Sequence, residues 1–311
     1  MNPLVSIVIP TYNCSDYLVA AIDSVLAQTY SPIELIVLDD GSTDNTVEIL
    51  SKYNGRLIWE SHVNMGQANS LNKGWQMSKG GILSYLSSDD VLLPSAAEHA
   101  VQYLNQDSAV IMTYCDYKLI DADSNTIRSV KARDYSYHDM AVKLICQPGP
   151  GVFFRRSAFE ITGGWDGQFR QMPDLEFWLR LGLLGEFKRL PFVDALYRVH
   201  ELSQSFAKLD QVRAEEPLAI VNKFYKTEKK IPGYISRDFN YALSNAYILS
   251  SRLHLRSNRL KKGVSMLYKS LQIYPKNIFS IKTVRLLINA VFSRPLYKLV
   301  WKIRNLQSKH K

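Results

Sequence analysis

Ile82-Leu83-Ser84-Tyr85-Leu86-Ser87-Ser88-Asp89-Asp90 is a short apolar run that ends in two adjacent carboxylates. The run has the length of one buried β-strand, and the carboxylates fall where such a strand would leave the sheet. Two fixed anions at that place repel each other unless a cation shares the site, and a divalent metal bound to a phosphate is the usual partner. The same pair could instead cap a helix over the following Val-Leu-Leu-Pro, because carboxylates also suit a helix N-terminus. The flanking residues decide between the two.

Upstream, Val5-Ser6-Ile7-Val8-Ile9 is a β-branched run stopped by Pro10, which predicts a buried parallel strand. Leu18, Ile22 and Val25 recur at helical spacing after it. Ile33 to Leu38 predicts a second strand, running into Asp39-Asp40-Gly41-Ser42-Thr43-Asp44. Gly41 permits a tight turn there, and Ser42 or Thr43 can cap a helix carrying Val47 and Leu50. Leu57-Ile58-Trp59 predicts a third strand, and Gly66 to Lys79 a helix closed by Gly80-Gly81. After Asp90 a helix is expected with Pro94 in its first turn and Ala97, Val101 and Leu104 on one face. Strand and helix alternating at this spacing predict a doubly wound, mostly parallel sheet.

Beyond Tyr114 the pattern changes. Tyr117 to Ile120, a polar turn at Asp121 to Asn125, and Thr126 onward predict a hairpin belonging to a small second sheet. Gly149-Pro150-Gly151 leads into Val152-Phe153-Phe154, a helix opened by Pro173 is expected over Asp174 to Leu184, and Val193 to His200 predicts a last strand. The remainder predicts helices divided at Pro232-Gly233 and at Pro275. The expected organisation is an α/β domain over 1–205 followed by a basic helical region over 206–311.

Composition is that of an ordinary folded protein, with 46% hydrophobic and 22% charged residues. Cys14, Cys115 and Cys146 are odd in number and far apart, which argues against a disulfide framework or a zinc site and for a reducing compartment. The N-terminus carries neither the basic nor the apolar part of a signal peptide, and no apolar run is long enough to span a bilayer. The net charge of +9 is unevenly spread. No Asp or Glu occurs from Phe239 to Lys311, whereas the first 238 residues carry 23 basic against 29 acidic side chains. Opposite charge in two regions suggests two jobs.

In a doubly wound sheet a nucleotide lies where the strands present their carboxyl ends. Pro10-Thr11-Tyr12-Asn13, Asp39-Asp40 and Asp89-Asp90 are three polar strand ends that would converge on one crevice. No Gly-x-Gly-x-x-Gly follows the first strand, and no Gly-x-x-x-x-Gly-Lys-Ser/Thr occurs, so neither a dinucleotide fold nor a P-loop is indicated. A nucleotide held by carboxylates, a metal and aromatic stacking remains.

Ser6 to Asn13 and Asp39 to Asp44 resemble the opening of the family 2 glycosyltransferases, which have the GT-A fold. The likeness continues through Asn64-Met65-Gly66-Gln67, Leu71-Asn72-Lys73-Gly74 and Leu86 to Asp90. It resumes at Arg155-Arg156-Ser157, Gly163-Gly164-Trp165-Asp166, Asp174 to Arg180 and Tyr197-Arg198-Val199-His200. Single blocks are weak, but so many in order over residues 4 to 205 are specific.

The resemblance implies roles. Pro10, Tyr12, Asn13, Asp39, Asp40, Asn72 and Asp89 would hold the nucleotide-sugar. Asp89 and Asp90 would hold Mn²⁺ or Mg²⁺ against the diphosphate, with His200 approaching the metal or the diphosphate. Members often show Asp-x-Asp-Asp at this place, where this chain has Ser87 first. Asp174 would be the general base of an inverting displacement; members usually show Glu-Asp here, and this chain shows Pro173-Asp174. Gly164, Trp165, Asp166 and Glu176 would shape the acceptor pocket, while Trp178 is expected in the core.

The implied activity is transfer of a single sugar from a nucleotide-sugar, UDP-linked by expectation, to a saccharide acceptor that is lipid-linked, in polysaccharide assembly. The Gln-x-x-Arg-Trp block of processive synthases is absent. The alternative is a GT-A-like protein that binds nucleotide or saccharide without turnover and works through its basic tail. A nucleotidyltransferase is disfavoured because no Gly-rich phosphate loop lies near the first strand. Leu296, Leu299, Val300, Ile303 and Leu306 fall on one helical face with Lys298, Lys302 and Lys309 across from it, which predicts a helix lying on an anionic membrane. The expected location is cytoplasmic, on the inner face of the plasma membrane. Nucleic acid is not an expected partner, since the aromatics are not interleaved as a stacking platform.

Overall fold

The computed structural model describes residues 2–200, 208–280 and 283–287. The described residues form two compact units, one of residues 2–140 with 146–200 and one of 141–145 with 208–280 and 283–287.

The first unit begins with β1 (Val5–Thr11), every residue of which is buried. Then come α1 (Ser15–Leu26), β2 (Ile33–Asp39), α2 (Thr46–Ser51), β3 (Ile58–Ser61), α3 (Gln67–Met77) and β4 (Ile82–Tyr85). In these strands β1 pairs in parallel with β2 and β4, and β2 pairs in parallel with β3, so three strand ends open on the same side. Burial on both faces is why the strands read as continuous apolar runs instead of alternating ones. α3 crosses β1 at very close range. A Cβ on Gly74 would lie 2.4 Å from Val8 Cγ1, so only glycine lets the helix seat here. Beside it the fully buried Trp75 donates its indole N–H to the Ser84 carbonyl at 3.0 Å, tying α3 to β4.

The rest of the unit is β5 (Val91–Leu92), α4 (Ala96–Gln106), β6 (Val110–Ile120), β7 (Thr126–Val130), α5 (Tyr137–Ala141), β8 (Phe153–Arg155), α6 (Arg156–Thr162), α7 (Pro173–Leu181) and β9 (Glu186–Arg198). The sheet order is β3-β2-β1-β4-β8-β6-β9-β5, with β7 paired to β6. The β6–β7 hairpin expected as a small second sheet is thus continuous with the first through β8, which runs antiparallel to both β4 and β6.

Three local expectations change. Asp90 leads into the two-residue strand β5, not a helix, and Pro94 stands before α4 instead of in its first turn. The last strand begins seven residues earlier than Val193, at Glu186, because β6 offers it a long parallel partner. Neither Ser42 nor Thr43 caps α2; its N-cap is Asn45, and the preceding Asp44 side chain accepts from Thr46 N at 3.1 Å and Thr46 Oγ1 at 2.6 Å.

The second unit holds α8 (Gln211–Thr227), α9 (Gly233–Ser236), α10 (Phe239–Arg256), α11 (Leu260–Ile273) and α12 (Pro275–Ile278). Asp210 caps α8 by accepting from Arg213 N at 2.8 Å. Small buried polar residues let α10, α11 and α12 approach: Ser244 and Ser270 share a 2.7 Å hydrogen bond, and Asn277 donates to Ser244 at 3.0 Å. Among the described residues no helix is long and apolar enough to cross a membrane. The amphipathic segment Leu296 to Leu306 lies outside the described residues.

Gly74→Val is expected to destabilise the first unit by about 1–3 kcal/mol through overpacking against Val8. Urea unfolding followed by tryptophan fluorescence measures it, and an unchanged midpoint would show that α3 is not held at the distance described.

Candidate active site

The site forms where β1, β2 and β4 end. Asn13, just past β1, takes a left-handed backbone with φ 49°, which asparagine tolerates better than most residues. Its Oδ1 accepts from Thr43 N at 2.8 Å, and its own N–H donates to Ser42 Oγ at 2.9 Å. Asp44 accepts from Ser15 N at 3.0 Å. These bonds stitch the loop after β1 to the loop after β2 and leave Tyr12 half exposed at the rim.

Asp39 and Asp40, expected on the nucleoside, are buried. Asp39 accepts from Ser42 N at 3.0 Å and from Ser61 Oγ at 2.7 Å. Asp40 accepts from Met65 N at 2.7 Å and Gly66 N at 2.9 Å, which anchors the entry to α3. Neither carboxylate lines the cavity described below; both hold the loops that wall it. Carboxylates buried in this way bind backbone N–H groups because an unpaired charge there would be costly.

Asp89 and Asp90 divide the work that the sequence left shared. Asp90 is buried and accepts from the Arg198 backbone N–H at 2.8 Å. Burial, and then the adjacent Asp89 charge, hold its carboxyl well above the ordinary carboxylate range, with Arg198 opposing. Asp89 faces the cavity, its Oδ2 3.0 Å from His200 Nε2. The Arg198 guanidinium sits underneath, donating to the Asp89 carbonyl at 2.9 Å and lying 4.6 Å from the centre of the Tyr17 ring.

The cavity has a volume of about 360 Å³. Of the residues singled out in the sequence, Pro10, Tyr12, Asn13, Asp89, His200, Trp165 and Asp174 line it. So do residues the sequence reading did not assign: Cys14, Asp16, Tyr17, Gln67, Tyr85, Ser87, Ser88, Arg170, Gln171, Pro173 and Tyr197. Tyr85 and Tyr197 stood inside the quoted blocks and could have been singled out as rings at strand ends. Arg170 and Gln171 lie in an irregular segment with no local pattern.

Asp174 opens α7, and its Oδ1 accepts from Leu175 N at 2.8 Å. The Cys146 thiol points at its other oxygen at 3.9 Å, and burial followed by the Asp174 charge pushes that thiol well up. Glu176, expected at the acceptor, is buried instead and bonded to Arg180 through both oxygens, at 3.1 and 2.6 Å. Arg180 in turn binds the Thr162 and Gly164 carbonyls. Asn72 is likewise turned from ligand to scaffold: it donates to Trp165 O at 2.6 Å and accepts from Trp165 N at 2.8 Å. Gly164 has φ +83° and leaves room for Asn72 Oδ1 2.3 Å from where a Cβ would be. Asp166 closes the turn by accepting from Gln168 N at 2.9 Å and, like Gly164, does not line the cavity. What reaches the cavity is Trp165, stacked edgewise on Tyr85 and Trp75, with a buried indole N–H that has no hydrogen-bond partner among the described residues.

Asp16, Asp89 and Asp174 thus meet in one cavity with Arg170 and His200. The negative surroundings help push the Cys14 thiol to about 11, although burial is the larger cause. Among the described residues no three His, Cys, Asp or Glu side chains gather closely enough to enclose a metal. Asp89 and His200 still fit a divalent cation that takes its remaining ligands from a diphosphate and water, as Mg²⁺-type ions usually do.

The model of the family described as "Glycosyl transferase family 2" matches residues 6–162. An uncharacterized glycosyltransferase of Rickettsia prowazekii is 31% identical over 97% of this chain and 98% of its own length. The chain belongs to glycosyl transferase family 2. Chondroitin synthase of Escherichia coli is 31% identical over 71% of this chain, which matches 32% of that longer protein. Among solved structures, TarS of S. aureus with UDP-GlcNAc superimposes at a TM-score of 0.56 and 15% identity, covering 88% of this chain and 92% of that one. A mannosyltransferase of Pyrobaculum calidifontis with GDP-Man and Mn²⁺ gives a TM-score of 0.59 at 16% identity, covering 94% and 88%. The fold of this glycosyltransferase is GT-A, with the helical unit appended.

Because burial raises the Asp90 carboxyl in the folded chain, the stability it contributes is full below the ordinary carboxylate pKa, about 3.9. It is lost as pH rises from there through the raised value. Asp90→Asn keeps an acceptor for Arg198 N–H but does not titrate. Thermal melts in chelator are expected to show this variant gaining on the wild type as pH rises. A pH-independent difference would contradict the assignment.

Proposed function

We propose that this glycosyltransferase moves one sugar per encounter from a UDP-sugar to a saccharide hydroxyl, with inversion at the anomeric carbon. The observation that carries the reading is the meeting of Asp174 with the Asp89–His200 pair in a single cavity. That arrangement supplies a base at one end and a place for a diphosphate at the other. Support for a UDP donor comes from the UDP-GlcNAc bound by the S. aureus neighbour, and for polysaccharide synthesis from the likeness to chondroitin synthase.

Asp174 accepts the proton of the acceptor hydroxyl while that oxygen forms a bond to the anomeric carbon. The bond from that carbon to the diphosphate breaks, and the nucleoside diphosphate leaves with the electron pair. Asp89 and His200 would hold Mn²⁺ or Mg²⁺, which when bound offsets the negative charge of the leaving diphosphate. Arg170 adds a guanidinium to the same cavity. Pro10, Tyr12 and Asn13 flank the nucleoside, with the half-exposed Tyr12 ring available for stacking. Trp165 and Tyr85, packed edge to face, line the part of the cavity proposed for the sugar. Residues 1–205 are the catalytic domain in this reading. The acceptor is lipid-linked, and the enzyme works as a peripheral protein on the inner face of the plasma membrane.

A panel of nucleotide-sugars, assayed for nucleoside diphosphate release with and without Mn²⁺, tests the donor and metal assignments. Release is expected from a UDP-sugar, abolished by chelator and by Asp89→Asn. Full turnover in chelator would refute metal dependence.

Asp174→Asn is expected to lower turnover by about a hundred- to ten-thousand-fold with little change in donor affinity. Wild-type turnover in that variant, or a product with the donor's anomeric configuration, would remove Asp174 from the role.

A further inference from the structure

We infer that the outward face of α11 is a docking surface for anionic lipid; the inference rests on the peripheral-membrane reading above and names the surface that would carry it. The inner face of this helix is already committed: Gly263, Met266 and Ser270 are buried, and the Gly263 carbonyl accepts from Ser251 Oγ of α10 at 2.8 Å. On the other side Leu260, Val264 and Tyr268 stand four residues apart. They form one row and are 63%, 62% and 61% exposed. Isolated exposed apolar residues need no explanation, but three in register along one helix do.

The charges around the row identify the partner. Lys261, Lys262 and Lys269 are exposed on the same helix, Lys261 beside the row and the other two further round it, with Lys269 5.8 Å from the Tyr247 ring, and the chain has no Asp or Glu from Phe239 to Lys311. Lys261 and Lys262 also stand in the first turn, which holds no acid, so the positive end of the helix repels them. An apolar row that enters the acyl boundary, with lysines beside it at the headgroups, is how an interfacial helix lies on a membrane. A second copy of the chain fits less well, since two-fold pairing of this face would bring its lysines against themselves. A nucleic acid would need a run of stacking rings, and the row supplies only Tyr268.

Co-sedimentation of the full chain with vesicles of phosphatidylcholine, alone or mixed with phosphatidylglycerol, tests the surface. The wild type is expected to partition onto the mixed vesicles at low salt and to be released by high salt. Leu260→Ser/Val264→Ser/Tyr268→Ser and, separately, Lys261→Glu/Lys269→Glu are each expected to weaken partitioning by about tenfold or more. Both variants should keep the wild-type far-ultraviolet circular dichroism, because every position is exposed. If both variants partition like the wild type while the wild type binds, α11 is not the docking surface and the membrane reading stands. If the wild type itself stays in the supernatant with mixed vesicles, the membrane reading fails. A concentration-dependent dimer in sedimentation velocity that the apolar variant abolishes, with no difference on vesicles, would assign the row to self-association and overturn the inference.

Discussion

Arg198 sits under the Asp89–His200 pair and holds three separate pieces of chain at once. It is buried, its backbone N–H is fixed by Asp90, and its guanidinium donates to the carbonyls of Asp89 and Asp121 and to Ser124 Oγ. Its remaining face lies over the Tyr17 ring. A guanidinium taken out of water is stable only when its donors are met, and here the partners come from the strand-end loop, the β6–β7 turn and α1. Two residues later the same strand delivers His200 to Asp89. The geometry of the Asp89–His200 pair therefore depends on a side chain that lines neither face of it.

The same logic runs through the rest of the site. Many of the polar residues that mark the family build loops, and fewer face the cavity. Asp39 and Asp40 bind backbone N–H groups, Asn72 clasps both polar groups of the Trp165 backbone, and Glu176 fixes Arg180, which holds the Gly164 turn. Irregular loops at the top of a parallel sheet have no ladder to satisfy their backbone, so buried side chains do it instead.

That division explains what the sequence could and could not reveal. Strand and helix order was legible because β1 and β2 are largely apolar runs, α1 and α4 carry helical periodicity and Pro173 marks the start of α7. The blocks also named Pro10, Asp89, Asp174 and His200, which line one cavity. They could not separate residues that face a ligand from those that hold the residues that do, because a carboxylate bound to backbone and one awaiting a ligand are written with the same letter. Asp89 and Asp90 are neighbours in sequence with opposite environments, and only the position of Arg198 distinguishes them. Arg170 and Gln171 were invisible for another reason: they belong to a segment whose path is set by tertiary packing and not by any local pattern. The hairpin was legible as a hairpin, but its place in the main sheet depends on β8, a three-residue strand too short to carry a signal.

The measurement that reaches the centre of this account is Mn²⁺ electron paramagnetic resonance on Arg198→Lys, titrated with and without UDP. Lysine keeps the charge but cannot span the Asp89 carbonyl, the Asp121 turn and the Tyr17 face together. If Arg198 sets the Asp89–His200 pair, the variant will remain folded, bind UDP without metal as the wild type does, and lose the UDP-dependent uptake of Mn²⁺. Wild-type uptake of Mn²⁺ in the presence of UDP by a folded Arg198→Lys protein would contradict it.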